Sequence, residues 1–306
     1  MTSAPSHTAA IAVHELTKRY GRTTVVDDLS FTVRAGVVTG FFGPNGAGKT
    51  TVLKTIVGLA RPTAGHVSFR GGPVPSDARA LGVHIEPCGA HPGRTARAHL
   101  RALALLAGLP AARVDEVLET VGLEQAAGRR VGKYSLGMRQ RLGLATALLG
   151  DPEVLVLDEP VNGLDPQAIR RLRTLLRERA ARGRTTLLSS HMLGEAAQTV
   201  DDVVVIDKGR LVHTGPIGDL AQGALSVRTP EPERLSALVE SAGGRVRPAA
   251  AGGLWIEALP AAEVARLALR ERIPLEEITS RTASLEDVFF DLTEVPSETR
   301  TEGRRA

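Results

Sequence analysis

A single cysteine, Cys88, among 306 residues excludes an internal disulfide framework and any multi-cysteine zinc site, and fits a reducing cytoplasm. Aromatic residues make up only 3% of the chain, so its core must be built from Leu, Val, Ile and Ala. No apolar run reaches the roughly 18 residues that a bilayer-crossing helix needs. The richest, Leu100 to Leu109, falls well short and reads as a buried helix. The opening residues MTSAPSHTAA lack the charged start and apolar stretch of a secretory signal. Such a protein is expected in the cytoplasm, serving any membrane process peripherally from the inner face. The net charge is +4, and the arginines that supply most of the positive charge are interleaved with acids instead of forming a basic stripe. The electrostatic footprint of a nucleic-acid partner is therefore missing, and none is expected.

What is present is an ordinary globular composition, 42% apolar and 24% charged, at a length suited to one large domain and a small one. Residues 1–9 are small and polar and are expected to form a flexible tail. Short β-rich runs follow (IAVHEL, LSFTV, VVTGFF), then a glycine-rich turn opening an apolar-periodic helix, then strands near 67–70 and 81–85. Residues 95–149 read almost wholly as helix. Beyond them β and α alternate: a strand at 154–158, a helix from about Pro166 to Ala181, a strand at 185–190, a helix to about Val200, and a strand at 203–207 that turns at Lys208-Gly209 into RLVHTG. Uninterrupted apolar strands such as VLVL and VVVI predict an α/β fold with a mainly parallel sheet covered on both faces. The expected division is a large domain at 10–220 with a helical subdomain at about 90–150, a small C-terminal α/β domain at 225–293, and a disordered tail at 294–306.

The run Gly43-Pro44-Asn45-Gly46-Ala47-Gly48-Lys49-Thr50-Thr51 matches the P-loop pattern G-x-x-x-x-G-K-[ST] at every fixed position, after an apolar strand and before a helix. Glycines at 43, 46 and 48 let the backbone bend so that successive N–H groups point inward at phosphates. The start of the helix adds partial positive charge. Lys49 is expected to reach the β- and γ-phosphates of ATP, Thr50 to place its hydroxyl on Mg²⁺, and Thr51 to contact the α-phosphate.

An ATP site also needs a carboxylate for Mg²⁺ and a group that orients the attacking water. Two acids emerge together at the end of the strand VLVL, at the sheet edge where α/β folds bind ligands. Asp158 is assigned to Mg²⁺, through coordinated water, and Glu159 to the hydrolytic water, as general base or as the residue that aligns and polarises it. His191 follows the strand at 185–190 and is expected on the same rim as Glu159, where its imidazole can bond the γ-phosphate.

Tyr134-Ser135-Leu136-Gly137-Met138, ahead of a helix, resembles the LSGGQ signature of ATP-binding cassette (ABC) ATPases, with Ser135 and Gly137 matching. Together with Gly163-Leu164-Asp165-Pro166 at the D-loop position, His191 at the switch position and Tyr20 at the A-loop position, the ordered set resembles an ABC nucleotide-binding domain over about residues 11–220. The resemblance implies a RecA-like P-loop NTPase with an N-terminal antiparallel β region and an inserted α-helical subdomain. It also implies a homodimer of cassettes facing head to tail. Each ATP would lie between the P-loop of one copy and Ser135 and Gly137 of the other, with Tyr20 stacked on adenine and Asp165 at the interface.

Leu136 and Met138 depart from the signature, and Glu86 stands where most cassettes carry Gln. A carboxylate there can approach Mg²⁺ or its water, while adding negative charge near Asp158 and Glu159. Glu86, Pro87 and the run from Arg94 to Leu100 look like the cassettes of bacterial drug, bacitracin and lantibiotic exporters of the ABC-2 kind. That likeness implies a separately encoded ABC-2 type permease, met by the helical block, and export of a small hydrophobic or peptide-like compound. The segment Ser284–Thr293 is similar to the tail of such ATPases and sets Leu285, Val288, Phe289 and Leu292 on one helical face. The competing expectation is a cassette whose ATP-driven dimerisation serves a non-transport, regulatory role.

Overall fold

The computed structural model describes residues 9–86, 89–190, 199–218, 225–249 and 253–280. They belong to two compact units that divide between Pro216 and Ile217. His191, the segment 284–293 and the expected tail at 294–306 lie outside the described residues, as do residues 1–8; Ala9 already opens the first strand.

In the first unit, β3 (Val38–Phe42), β5 (Leu81–His84), β6 (Val154–Leu157), β7 (Thr185–Ser190), β8 (Asp202–Asp207) and β9 (Arg210–Pro216) form one sheet in the order β5-β6-β7-β3-β8-β9. All neighbours are parallel except the β8–β9 hairpin. Every residue of β3, β6 and β7 is buried, and a strand covered on both faces has no reason to alternate in polarity. The register sets Phe42 opposite Ser190 and Leu157 opposite Leu188, so the C-terminal ends of β3, β6 and β7 share one edge. Helix α1 (Lys49–Ile56) leaves from the end of β3, and α5 (Pro166–Ala181) packs on β3 and β7, burying Leu172 and Leu176.

A second sheet, antiparallel in the order β2-β1-β4, is made by β1 (Ala9–Tyr20), β2 (Thr23–Arg34) and β4 (Ala64–Phe69). It shares a core with the first: the Phe31 and Phe41 rings stack with centroids 5.4 Å apart, beside Ile11, Leu16, Leu29 and Ile206. β1 is longer than its sequence suggests because it is bulged. Pairing slips between Val13 and Leu16, where Glu15 sits at φ 48° and its N–H donates to Ser30 Oγ at 2.8 Å. An extra residue at a bulge breaks the two-residue alternation, so the pattern stops before the strand does.

The helical block contains α2 (Ala96–Leu106), α3 (Ala112–Thr120) and α4 (Leu136–Leu148). Thr95 caps α2 through Ala98 N–H, and Ser135 caps α4 through Met138 N–H.

The second unit runs β10 (Leu225–Arg228), α6 (Pro232–Ser241), β11 (Arg245–Pro248), β12 (Leu254–Glu257), α7 (Ala261–Arg270), β13 (Glu277–Ser280). Its sheet, in the order β11-β12-β10-β13, is antiparallel throughout, the split βαβ arrangement of ferredoxin-like domains. Leu225, Val227, Leu235, Val239, Ile256 and Val264 fill its core. The outer strands β11 and β13 escape a hydrophobic reading because they are edges. RVRP and EITS carry the charges and proline that keep edges from pairing further.

Candidate active site

From Phe42 the backbone turns through 43–48 into α1. Gly46 and Gly48 sit at φ 85° and 103°, values that side-chain-bearing residues rarely adopt. A Cβ on Gly48 would also meet the Val25 carbonyl oxygen at 2.9 Å. Lys49 is 7% exposed. Its Nζ donates to the carbonyls of Gly43 at 2.7 Å and Pro44 at 3.3 Å and lies 3.8 Å from Glu159 Oε1. Burial pulls its pKa below the ordinary lysine value, against the opposing influence of Glu159 and Asp158. An ammonium held out of water by weakly solvating carbonyls interacts strongly with an arriving phosphate.

The acidic pair is clasped from two sides. Buried Asp158 accepts from Thr50 Oγ1 at 2.8 Å through Oδ2 and from Ser189 Oγ at 2.6 Å through Oδ1. The Glu159 N–H donates to the same Ser189 Oγ at 2.9 Å. Glu159 itself sits at φ 48°. That left-handed conformation costs a residue with a Cβ about 1–2 kcal/mol, and such strain clusters at functional sites.

Tyr20 stands at the turn of the β1–β2 hairpin, 51% exposed, with the Lys18 ammonium 4.8 Å from its ring centroid. Ser135 is exposed at the start of α4, and Gly137 packs so tightly on the loop before α5 that a Cβ would lie 2.5 Å from the Gly163 carbonyl oxygen. Asp165 caps α5, its Oδ1 accepting from Ala168 N–H at 2.8 Å. Glu86 accepts a hydrogen bond from Gln140 Nε2 of α4, whereas Thr50 and Asp158 pair with each other. Ser189 and Gln140 are site neighbours that sequence reasoning missed. For Ser189 a signal existed: the strand TTLLSS ends in hydroxyls although it is wholly buried, and buried hydroxyls need partners.

The family model described as ABC transporter matches residues 26–162. Nod factor export ATP-binding protein I of Burkholderia lata is 39% identical over 298 residues, covering 93% of this chain and 97% of that protein. This chain belongs to the ABC transporter ATP-binding proteins. It is a cassette ATPase of the P-loop fold. The bacitracin transport ATP-binding protein BcrA of Bacillus licheniformis is 43% identical to it over 216 residues, 69% of this chain and 71% of that one. Among solved structures, the ATP binding subunit of an ABC transporter aligns with a TM-score of 0.63 at 31% identity, over 69% of the cassette ATPase chain and 91% of the other. A domain of unknown function (DUF8746) matches residues 223–286, in the second unit.

Two substitutions probe how this cassette holds its site. Ser189→Ala strips Asp158 Oδ1 and the Glu159 N–H of their shared partner. An unsatisfied buried polar group costs about 1–3 kcal/mol. If half of that is lost from alignment of the acids, ATP turnover falls about two- to thirteenfold. Steady-state ATPase assays beside thermal unfolding check this, and unchanged turnover would remove Ser189 from the site. Gly137→Ala forces a methyl against the Gly163 carbonyl. It should lower stability by about 1–3 kcal/mol through overpacking, despite the better helix propensity of Ala. Denaturant titration reads that loss.

Proposed function

We propose that this cassette ATPase powers the outward movement of a small hydrophobic or peptide-like compound, of the antibiotic or drug class, through a separately encoded ABC-2 type permease. The observation that carries the reading is the extent of the likeness: a relative aligned over 93% of this chain is an export ATP-binding protein, and a shorter match is a bacitracin transport protein. Among the described residues no helix is long and apolar enough to cross a membrane. In this reading the cassette works at the inner face of the membrane and the path for cargo belongs to the permease.

ATP would bind with its phosphates in the 43–51 loop, its γ-phosphate charge met by Lys49, and its adenine on the exposed Tyr20 ring. Thr50 and Asp158 place hard oxygen donors 2.8 Å apart, the ligand chemistry that Mg²⁺ takes, so these two residues would hold it, with Glu86 adding a carboxylate from the end of β5. When bound, the ion supplies charge neutralisation on the phosphates. Glu159 polarises the attacking water and accepts its proton, and Ser189 fixes the backbone from which it acts. His191 is assigned the γ-phosphate contact. Two cassettes would act together in this reading, the exposed start of α4, with Ser135 and the 55% exposed Leu136, offering helix-terminal donors to a second copy's γ-phosphate. Asp165, capping α5 beside it, is assigned to the same interface.

Co-expression of the cassette with an ABC-2 type permease from its native genome that co-purifies with it should protect cells against at least one peptide or hydrophobic antibiotic in a panel. Protection should vanish with Glu159→Gln. Equal sensitivity to the whole panel with and without the pair would overturn the export reading.

A further inference from the structure

Where β5 ends against α4, three side chains stand in line. His84, the last residue of β5, and Gln140, on α4, are each 3% exposed, while Glu86 is exposed. His84 Nε2 lies 2.5 Å from Gln140 Oε1, and Gln140 Nε2 donates to Glu86 Oε1. Chemistry fixes the direction of the line. An amide oxygen only accepts, so His84 Nε2 must carry its hydrogen. With the oxygen held there, the amide NH₂ faces Glu86, whose ionised carboxylate also only accepts. Turned round, Gln140 would set oxygen against carboxylate oxygen. Glu86 therefore fixes which end of Gln140 it meets, and His84, donating through Nε2, holds the amide oxygen at the other end.

The surroundings are shaped for this ring. A Cβ on Gly143 of α4 would lie 2.2 Å from His84 Cε1, so any side chain there would displace the imidazole. The main chain of His84 serves the acids as well: its carbonyl accepts from the Asp158 N–H at 2.8 Å. One residue thus joins the backbone of Asp158, assigned above to Mg²⁺, to the helix that begins at Leu136. The outer end of the line opens on a cleft of about 1000 Å³ bordered by Glu86, His91, Pro92, Leu136 and Arg139.

We propose that His84 and Gln140 are positioning residues for hydrolysis, a buried relay that orients the Glu86 carboxylate and ties it to α4. The inference rests on the reading of Glu86 as a participant in ATP hydrolysis. Gln140 gives Glu86 a charge-assisted bond, and His84 anchors the other end of the Gln140 amide. Movement of α4 then reaches both Glu86, through Gln140, and Asp158, through the His84 carbonyl.

The test is steady-state ATPase of the full chain carrying His84→Leu, His84→Gln, Glu86→Ala and the double change His84→Leu with Glu86→Ala. His84→Leu frees the Gln140 amide, and if its charge-assisted bond to Glu86 is lost with that freedom, kcat should fall about tenfold, with the KM for ATP within about twofold. His84→Gln extends an Nε2 donor to the place of the imidazole nitrogen and should restore most of the rate. In the Glu86→Ala background, His84→Leu should change kcat no further. Equal losses for Leu and Gln, or independent losses that multiply in the double variant, would make His84 a packing residue and overturn the relay. A lowered rate in Glu86→Ala with a normal rate in His84→Leu also overturns it, but leaves Glu86 in the site. A normal rate in Glu86→Ala overturns both. If the leucine variant does not fold, His84→Asn, whose donor falls short of Gln140, replaces it as the loss variant.

Discussion

Glu159→Gln is expected to reduce ATP turnover by about 10²- to 10⁴-fold, the range that a positioned general base contributes, while nucleotide binding persists. The substitution keeps the size of the side chain and the backbone geometry. The bond from the residue-159 N–H to Ser189 Oγ is a main-chain bond and survives, so the clasp on Asp158 survives with it. What disappears is the capacity to take a proton, together with the charge 3.8 Å from Lys49 Nζ. Removing one negative charge beside an incoming polyphosphate should hold or improve ATP affinity. Equilibrium binding of a fluorescent ATP analogue, beside single-turnover hydrolysis, separates these effects. Turnover within about threefold of wild type would mean that Glu159 is not the base.

Lys49→Met should abolish the response of the protein to ATP without weakening the fold. Wild-type protein at 100 times its dissociation constant for ATP gains about 2.7 kcal/mol by linkage. For a unit of this size that is a rise of about 5–10 °C in the unfolding midpoint. The variant loses the ammonium that lies against the Gly43 and Pro44 carbonyls of the loop, and it should show no shift. In the absence of nucleotide the direction reverses. Burial is the main cause that lowers the Lys49 pKa, so the charged form is held at a cost in the folded chain. Between that depressed pKa and the ordinary lysine value the unfolded chain binds more protons, and stability should rise with pH across the window. Methionine cannot titrate and should remove this part of the slope. Thermal scans at several alkaline pH values, with and without ATP, read both effects. An undiminished ATP shift in the variant would contradict the role assigned to Lys49.

How much of this was legible in the sequence follows from the range over which each feature is set. The phosphate loop is local: Gly46, Gly48 and Lys49 dictate their own turn and helix start, and motif and geometry coincide. The same holds for α5, whose start is announced by Asp165-Pro166, an N-cap acid followed by a proline at the first helical position. The clasp by Ser189 is not local. It depends on β6 and β7 lying side by side in a particular register, which no pattern within either strand specifies. The contact of Glu86 is likewise decided by α4, more than 50 residues away in the chain. The second unit was readable as alternating strand and helix, but its antiparallel sheet was hidden by the polar edge strands Arg245–Pro248 and Glu277–Ser280. Asp165, assigned from resemblance to an interface, has a structural task as the cap of α5 besides.

The proposed function couples hydrolysis at this site to a membrane protein on another chain. The most direct test is to isolate the tagged full-length chain from the membranes of its native cells and to measure ATP turnover by the isolated complex. The prediction is that a multi-spanning membrane protein co-elutes in stoichiometric amount and that turnover by the complex falls about 10²- to 10⁴-fold with Glu159→Gln. Recovery of the chain only from the soluble fraction, or a membrane complex whose ATP turnover is indifferent to that substitution, would contradict it.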